Sequence, residues 1–560
     1  MTKAIFIDLL AVTLLSWFSI QALLHPGLFP MHDDTQVARV FSMKASLADG
    51  MFPVRWVEEL GYGYGYPIFN FYAPLAYYLG GVIDLVINDS LAATKIMLGL
   101  GILISGWTMY FLAKEFWGRV GGILSALLYV YAPYHAVNIY VRGAVGETFG
   151  YAFIPLAFYG FYKCYQEPKW RHVTIASLGF AGIILSHNLT AMMLTPFILI
   201  TILLGVKISK SQKKGTLAKL LSAFALGIML SAFYWLPSVG EMKYTNVTSQ
   251  IGGGADFKDH FVCLPQLWDS MWGFGGSTIG CIDGLSFRLG KLHVILSIFV
   301  ALGLFFVKKN KKQRYLVILS IVFLLICIFL MLDYSRFVWD TLAPMKYFQY
   351  PWRFLLMSSF TISLIGGGVV WIIESQQLIK INKKIITLIS SIALLSILLI
   401  YPKLFIPQEV RSVTNNALTD KNYINWNVSK ISDEYMPTNF KKPLLQSQIP
   451  EYKITGDLLK YEIKETSTTS LIAQINTQKA EQIHINKAYF PSWSVKINGK
   501  EGKVLKSTTG IDILVPKGNS TLHLVFVETP LEKFANLVSL SGFCILLLVI
   551  IRSRKSYPLK

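Results

Sequence analysis

The sequence predicts an all-α polytopic membrane bundle of about twelve transmembrane helices, followed by a β-rich domain near the C-terminus. Hydrophobic residues make up 53% of the 560 residues and charged residues only 15%, whereas an ordinary soluble chain carries about 25% charged residues. Apolar stretches long enough to cross a bilayer recur along most of the chain. One long segment near the C-terminus, 402–531, has no such stretch. This composition excludes a soluble enzyme, a disordered protein and a disulfide scaffold.

Twelve segments are predicted to span the membrane, because each approaches the roughly 20 apolar residues that a bilayer core requires. They are residues 4–24, 91–113, 120–138, 145–162, 172–187, 190–206, 220–237, 291–307, 315–332, 352–374, 385–401 and 533–551. The first lacks a following small-residue cleavage site, which favours an uncleaved span over a signal peptide. Residues 71–87 are also apolar, but Pro74 and Gly80-Gly81 interrupt them. We expect that segment to lie in the interface or to re-enter.

Basic residues set the predicted orientation. The net charge is +20, from 52 Lys and Arg against 32 Asp and Glu. The basic clusters lie in the segments 114–119, 163–171, 207–219, 308–314, 380–384 and 552–560. If the N-terminus is cytoplasmic and 71–87 does not span, all of them are cytoplasmic, as the positive-inside rule requires. The charge therefore indicates a multi-pass protein of the cell membrane with both termini inside, and not a nucleic-acid-binding protein.

Three predicted domains follow from this topology. Residues 1–401 form a transmembrane domain with long outer loops at 25–90 and 238–290. Residues 402–531 form an extracytoplasmic β-rich domain, because the stretches 482–497 and 510–525 alternate and are broken by Asn498-Gly499 and Gly518-Asn519. Residues 532–560 form a terminal transmembrane helix and a basic cytoplasmic tail. Cys263 and Cys281 share one outer loop and could pair there or remain free thiols.

Two adjacent acids, Asp33 and Asp34, follow the first span in the segment His32-Asp33-Asp34-Thr35-Gln36. Burial at the membrane surface raises the pKa of a carboxylate and makes it a stronger base when it is ionised. The structural alternative is that Asp34 or Thr35 caps an amphipathic helix over 36–48.

Glycine and tyrosine alternate shortly afterwards, from Gly61 to Tyr66. Tyr64 and Tyr66 would lie in a loop that bends freely at the headgroup level. Their rings suit an aromatic belt, and they also suit stacking on a sugar face. The segment is not a phosphate loop, because it lacks the strand–turn–helix context and a following Lys-Ser/Thr pair.

Further polar residues lie at the predicted outer ends of spans: Arg142, Glu147, His187, Asn188 and Arg353. Charged groups at membrane depth usually face a cavity or pair with each other. Arg142 and Glu147 could form a structural pair, or the two arginines could hold a phosphate, whose oxygens match a guanidinium fork. The midplanes of the spans carry almost no charge, which disfavours an ion path and a transporter.

As a set, these motifs resemble the GT-C class of integral-membrane glycosyltransferases, and most of all the bacterial membrane family labelled 6-pyruvoyl-tetrahydropterin synthase-related, with YfhO-like relatives. The resemblance is carried by residues 32–36, 53–56, 61–72, 142–147, 187–190, 350–354, 433–437 and 489–493. The family label suggests a pterin enzyme, but the nine histidines are scattered and form no zinc-ligand cluster in the sequence.

The resemblance implies transfer of a sugar from a polyprenyl-phosphate-linked donor to an envelope glycan, lipid or protein acceptor on the outer face of the membrane. It implies Asp33 as the catalytic carboxylate, with Asp34 and Glu147 as the other catalytic candidates. The candidate substrate-binding residues are His32, Arg142, Arg353, His187, Asn188, Tyr64 and Tyr66. A divalent cation, Mg²⁺ or Mn²⁺, is compatible with the resemblance but is not required by it, since Asn70 stands where some relatives have a further acid. The alternative is a non-catalytic membrane protein that binds or hands over lipid-linked glycans in envelope polymer assembly.

Overall fold

The computed structural model describes residues 3–208, 213–250, 252, 255–307, 311–375, 383–457 and 459–555. Parts of the basic segments 207–219, 308–314, 380–384 and 552–560 lie outside these ranges.

Most of the described chain is helical, and the longer helices coincide with the apolar stretches of the sequence. The α-helices are α1 (Lys3–Leu15), α2 (Trp17–Ile20), α3 (Gln36–Ala48), α4 (Ile68–Phe71), α5 (Leu75–Ile87), α6 (Ser90–Val130), α7 (Pro133–Ala136), α8 (Val145–Gln166), α9 (Trp170–Ser186), α10 (Asn188–Ile208), α11 (Lys213–Leu230), α12 (Ala232–Gly240), α13 (Leu264–Trp268), α14 (Lys291–Gly303), α15 (Lys311–Met331), α16 (Arg336–Thr341), α17 (Leu355–Gly367), α18 (Val369–Ser375), α19 (Lys383–Ile400), α20 (Asn415–Leu418) and α21 (Pro530–Lys555). Short 3₁₀ and π-helical turns connect several of them.

Fewer helices have the length and composition of a membrane span than the twelve expected from the sequence. Within the described residues there are five, or up to seven if each of two bent helix pairs is one span. The five are Ser90–Val130, Lys311–Met331, Pro351–Ser375, Thr387–Phe405 and Pro530–Arg552, and the bent pairs are Lys3–Leu15 with Trp17–Leu24 (52°) and Gly215–Leu230 with Ala232–Gly240 (67°).

Two reasons account for most of this difference. The predicted spans 91–113 and 120–138 are two helices that meet at a break at Gly118 (φ 71°, ψ −171°), and they count as one because α6 runs through that break. Other predicted spans coincide with helices that are too short, such as α9 with 17 residues and α14 with 13. The segment 71–87 contains α5, whose 13 residues are likewise too few to cross a bilayer core.

The β structure predicted near the C-terminus is present as two antiparallel sheets between Ile454 and Phe526. Their strands are β1 (Ile454–Thr455), β2 (Leu459–Thr466), β3 (Ser470–Thr477), β4 (Glu481–Ile485), β5 (Trp493–Ile497), β6 (Lys500–Glu501), β7 (Val504–Lys506), β8 (Ile511–Val515) and β9 (Gly518–Phe526). The sheet orders are β1-β4-β8-β7 and β2-β3-β9-β5-β6. Each sheet buries one set of alternating side chains, as in β4 and β8 of the first sheet. The residues before β1 are mostly turns and short helical segments.

Charged side chains join the first long loop to the β sheets. Glu58 accepts a hydrogen bond from Lys487 Nζ at 2.6 Å and also pairs with Lys453. Asp49 Oδ2 accepts one from the Thr468 backbone N–H, also at 2.6 Å. Buried ion pairs are expensive to break. The first outer loop, which also carries Asp33 and Asp34, therefore packs against the β sheets.

Candidate functional site

A cavity of about 1020 Å³ lies among the first loop, the helices α9 to α12 and the loops that contain Ser277 and Arg353. Its polar end is lined by His32, Asp33, Arg39, Arg142, His187, Asn188, Arg353, Ser432 and Glu434. Its apolar arm is lined by Phe180, Ile184, Leu189, Met192, Phe224, Ile228, Trp235 and Val239. A cavity with these two parts suits a ligand that has a polar head and an apolar tail.

Asp33 is fixed by main-chain pairing between the first loop and the turn before α8. His32 N donates to Val141 O and Asp33 N donates to Arg142 O, each at 3.0 Å. Gln36 Nε2 also crosses the junction, donating to Gly143 O at 2.8 Å. The backbone is therefore held in place, while Asp33 itself is exposed and lines the cavity.

The neighbouring acid has different surroundings. Asp34 does not line the cavity. Burial raises the pKa of Asp34, and nearby Arg411 partly opposes the rise. The capping alternative fails, since Thr35 occupies the N-cap position of α3 without a side-chain hydrogen bond to the helix. Asp33 therefore lines the cavity and Asp34 does not, and this difference cannot be predicted from the sequence of the motif.

Glu147 joins two arginines at the polar end of the cavity. Arg142 Nη2 donates to Glu147 Oε1 at 2.9 Å, and Arg353 Nε lies 3.5 Å from the same oxygen. Tyr134 OH donates to the other carboxylate oxygen at 2.8 Å. None of the three charged side chains is more than 11% exposed. Glu147 is therefore placed to neutralise arginine charge, and two cations against one anion leave this group, the arginine pair, with a net positive charge.

His187 and Asn188 lie where the polar end meets the apolar arm. His187 Nδ1 accepts from Thr190 N at 3.3 Å, which satisfies a backbone donor at the start of α10. Asn188 Nδ2 donates to Phe71 O at 3.1 Å, and its oxygen accepts from Tyr234 OH. Both residues are engaged with the protein and also border the cavity.

The structure places Tyr64 and Tyr66 outside the cavity. The ring of Tyr64 packs edge-on against Phe440 at 5.0 Å, and Tyr66 OH donates to Ser432 O at 3.0 Å. The loop does not bend freely, because a Cβ on Gly65 would lie only 2.6 Å from Trp56 Nε1. Both tyrosines are buried and hold the protein's own segment around 432–440 in place.

The loop closed by the Cys263–Cys281 disulfide forms one wall of the cavity. Gly276 and Ser277 of this loop line the cavity. His32 Nε2 donates to Phe274 O at 2.8 Å, so this predicted substrate-binding side chain is tied to the loop beside Asp33. The pairing left open by the sequence is thus a disulfide next to the candidate site.

Arg39 and Glu434 line the same cavity but were not among the predicted site residues. Arg39 is 4% exposed, and it lies one turn from Gln36 on the face of α3 that also buries Val40 and Met43. An arginine on the buried face of an amphipathic helix is a signal that sequence alone could supply. Glu434 had no such signal, because it is brought to Arg39 only by the folding of a segment near the other end of the chain.

A divalent cation does not fit the donors at this site. Within the described ranges, no group of three His, Cys, Asp or Glu side chains is placed to hold a metal ion. Glu147 is already paired with two arginines, and repulsion by those arginines opposes a third cation beside it. The remaining chemistry is that of a carboxylate, Asp33, next to guanidinium groups.

Three solved structures of GT-C glycosyltransferases align with most of this chain at low identity. The oligosaccharyltransferase of Archaeoglobus fulgidus in the apo form covers 80% of this chain and 61% of its own, with 13% identity and a TM-score of 0.47. Arabinofuranosyltransferase AftD from Mycobacteria covers 74% and 28%, with 12% identity and a TM-score of 0.43. ArnT from Cupriavidus metallidurans bound to undecaprenyl phosphate covers 66% and 78%, with 15% identity and a TM-score of 0.30. Likeness at this level does not transfer an activity.

Sequence relatives identify the family. An uncharacterised protein of Lactococcus lactis subsp. cremoris (strain MG1363) is 25% identical over an alignment of 295 residues, and the match covers 49% of this chain and 45% of the relative. The match therefore spans less than half of the relative's length. The profile of the 6-pyruvoyl-tetrahydropterin synthase related domain, described as a membrane protein, matches residues 69–404. This chain belongs to that family of membrane proteins.

Proposed function

We propose that this protein is a glycosyltransferase that moves a sugar from a polyprenyl-phosphate-linked donor to an acceptor hydroxyl. The observation that carries the proposal is the surroundings of Asp33. This carboxylate is exposed to a cavity that also contains the arginine pair and an apolar arm. A base, an anion-binding group and an apolar compartment are the three parts that such a transfer needs.

The cavity supports a lipid-linked donor through both of its parts. The net positive charge of Arg142, Arg353 and Glu147 favours a ligand with one negative charge, as in a phosphodiester. The apolar arm offers Phe180, Met192 and its other aromatic and aliphatic side chains to a prenyl chain. A sugar between these two ends would lie beside Asp33.

The bonds and the proton of the proposed transfer balance without a further reagent. The acceptor oxygen bonds to the anomeric carbon, and the bond from that carbon to the phosphate oxygen breaks. Asp33 takes the hydroxyl proton as general base and later releases it to water. The polyprenyl phosphate leaves with the electron pair, and Arg142 and Arg353 stabilise its added negative charge.

The proposed setting is the plasma membrane of a bacterium, with both termini in the cytoplasm and the cavity on the outer face. The distribution of basic residues supports this orientation. The proposal keeps the division into a transmembrane domain (1–401), an extracytoplasmic domain (402–531) and a terminal helix with its tail (532–560). The acceptor would be an envelope glycan, lipid or protein.

The test is transfer by purified protein in lipid vesicles from a panel of undecaprenyl-phosphate sugars, read by mass spectrometry as release of undecaprenyl phosphate. Asp33→Asn should lower the rate at least 100-fold, the usual minimum for loss of a general base. Asp34→Asn is the matched variant, because it removes an adjacent acid that does not line the cavity. Equal activity of wild type and Asp33→Asn would refute the role of Asp33. Binding of every lipid without release from any would favour the non-catalytic alternative.

A further inference from the structure

A second polar cluster lines the cavity, apart from the arginine pair. It consists of Arg39 and Tyr72 from the first loop and Ser432 and Glu434 from the segment before the β sheets. We propose that this cluster, the Arg39 corner, is a carbohydrate subsite that binds the hydroxyl groups of an uncharged sugar. The inference rests on the proposed glycosyl transfer and specifies the class of sugar, which that proposal leaves open.

Arg39 and Glu434 are linked through one hydroxyl group. Arg39 Nη2 donates to Ser432 Oγ at 2.8 Å, and Ser432 Oγ donates to Glu434 Oε1 at 3.2 Å. A guanidinium donor and a carboxylate acceptor are thus held close together on the wall of a cavity. A sugar hydroxyl both donates and accepts hydrogen bonds, so it can bond to both groups at once.

The hydrogen-bonding capacity of Arg39 is not exhausted by the protein. Its Nη1 donates to Tyr77 OH at 3.3 Å, but its buried Nε has no hydrogen-bond partner among the residues that the structure describes. Leaving a buried donor without a partner is unfavourable, and such groups in native proteins call for an explanation. Each Nη group of Arg39 has two N–H donors and uses one of them in the bonds named above, so a ligand can still accept from the guanidinium.

The charges of the corner balance. Arg39 carries one positive charge and ionised Glu434 one negative charge, and the guanidinium lies 4.4 Å from the ring centroid of Tyr72. The adjacent Asp433 does not contribute, because it pairs with Lys442 at 2.8 Å and accepts from Tyr62. An ammonium group would be repelled by Arg39 and a second carboxylate would be repelled by Glu434. An uncharged polar group is repelled by neither, and the balanced pair offers it both a donor and an acceptor.

The position of Asp33 connects the corner to the reaction. The charge of Asp33 acts on Arg142 in the arginine pair and also on Tyr72 in the corner. Asp33 is therefore close to both the arginine pair and the Arg39 corner. A sugar held in the corner would present a carbon or a hydroxyl to the proposed base.

The corner is held rigidly by hydrogen bonds and ring packing from neighbouring residues. Tyr66 OH donates to Ser432 O at 3.0 Å, and Tyr62 OH donates to Asp433 Oδ2 at 2.8 Å. The ring of Tyr435 stacks on Phe71, with centroids 6.0 Å apart and an interplanar angle of 10°. Preorganisation of this kind lowers the entropy cost of binding. The glycine–tyrosine segment thus acts on the sugar through the position of Ser432 and Glu434.

The experiment measures the affinity of the full-length protein in nanodiscs for undecaprenyl phosphate, undecaprenyl phosphoglucose and undecaprenyl phosphoglucosamine. Glu434→Gln should weaken binding of the glucose lipid about tenfold, as expected for loss of a charged hydrogen bond. Affinity for undecaprenyl phosphate, which has no sugar, should not change and reports that the variant is folded. Glu462→Gln, at an exposed glutamate of β2 that pairs with Lys464 and does not line the cavity, is the matched control and should leave both affinities unchanged. Tyr72→Leu is a second variant that should weaken only the sugar lipids.

A second binding experiment distinguishes the donor sugar from the acceptor sugar as the occupant of the corner. Methyl glucoside is added to protein saturated with undecaprenyl phosphate, and its binding is followed by saturation-transfer NMR. Loss of methyl glucoside binding in Glu434→Gln, with the glucose lipid unaffected, assigns the corner to the acceptor sugar. Loss of glucose-lipid affinity assigns it to the donor sugar.

Two results would overturn the inference. One is a Glu434→Gln variant that binds both glucose probes like wild type. The other is tighter binding of the glucosamine lipid than of the glucose lipid by wild type, which would contradict an uncharged sugar. Different results would refute the proposed function itself. Either wild type would not bind undecaprenyl phosphate, or the Asp33→Asn variant would retain full transfer activity.

Discussion

Replacing Glu147 with glutamine tests whether this carboxylate exists to balance the two arginines. The substitution keeps the size of the side chain and removes its charge. Arg142 and Arg353, each at most 11% exposed, would then face each other without an anion between them. We therefore expect a loss of stability that does not depend on turnover.

The distances set the size of the effect. At an effective dielectric constant of about 20, unit charges separated by the 2.9 Å and 3.5 Å of these contacts attract by roughly 5 kcal/mol each. Repulsion between the arginines and the cost of desolvating the carboxylate offset much of this sum. Removing one partner of a buried ion pair costs about 3–5 kcal/mol in measured cases. Since glutamine retains some hydrogen bonding, we expect a decrease near the lower end, about 3 kcal/mol.

The assay is the free energy of unfolding in mixed micelles titrated with SDS, with and without saturating undecaprenyl phosphate. The lipid phosphate can supply the missing negative charge, so the lipid should stabilise Glu147→Gln more than wild type. The matched control is Glu115→Gln, which removes the partner of Lys163 from a pair with 19% and 27% exposure. That more exposed pair should contribute less than about 1 kcal/mol.

The reasoning would be refuted if Glu147→Gln lost no more unfolding free energy than the Glu115→Gln control. A destabilised variant that gains no more from the lipid than wild type would keep the charge-balancing role but move the phosphate away from these arginines. The two parts of the prediction can therefore fail separately.

Two other predictions concern stability beside the cavity and at the base of the β sheets. Replacing Cys263 and Cys281 by serine should lower the free energy of unfolding by about 3 kcal/mol, as expected for a loop of this length, and a reducing agent should destabilise wild type but not the double variant. Burial, reinforced by nearby Glu532, raises the pKa of Glu241 to about 7 from an ordinary value of 4.5. The folded state therefore favours the protonated acid, and stability should fall as pH rises from about 4.5 to about 7. SDS unfolding across this range should show the decline in wild type and a flatter profile in Glu241→Gln.

The positions of the helices could be predicted because apolar runs and membrane spans share one length scale. Their lengths were harder to predict, because hydrophobicity does not fix where a helix ends. The break at Gly118 (φ 71°) falls between the predicted spans 91–113 and 120–138, as the sequence suggests. Conversely, α9 and α14 are apolar yet short. The β sheets were predictable because alternation is a local pattern.

The candidate site was predictable where a charge stands beside an apolar run. Asp33, Arg142 and Arg353 all line one cavity, as expected of charged groups at the ends of spans. Tyr64 and Tyr66 were harder, because stacking on a ligand and packing against the protein require the same residue. Their surroundings, and not their identity, place them outside the cavity.

The division of the cavity follows from the cost of burying charge in lipid. An unpaired charge is costly in apolar surroundings, and the apolar arm is lined by side chains from the apolar helices α9 to α12. The charged groups come from segments that need not span, such as the first loop with Asp33 and Arg39 and the distant segment with Glu434. Under the proposed function, selection of the lipid and selection of the sugar would therefore be encoded in different parts of the sequence. Sugar preference could then change by substitution near Glu434 while the apolar arm stays the same.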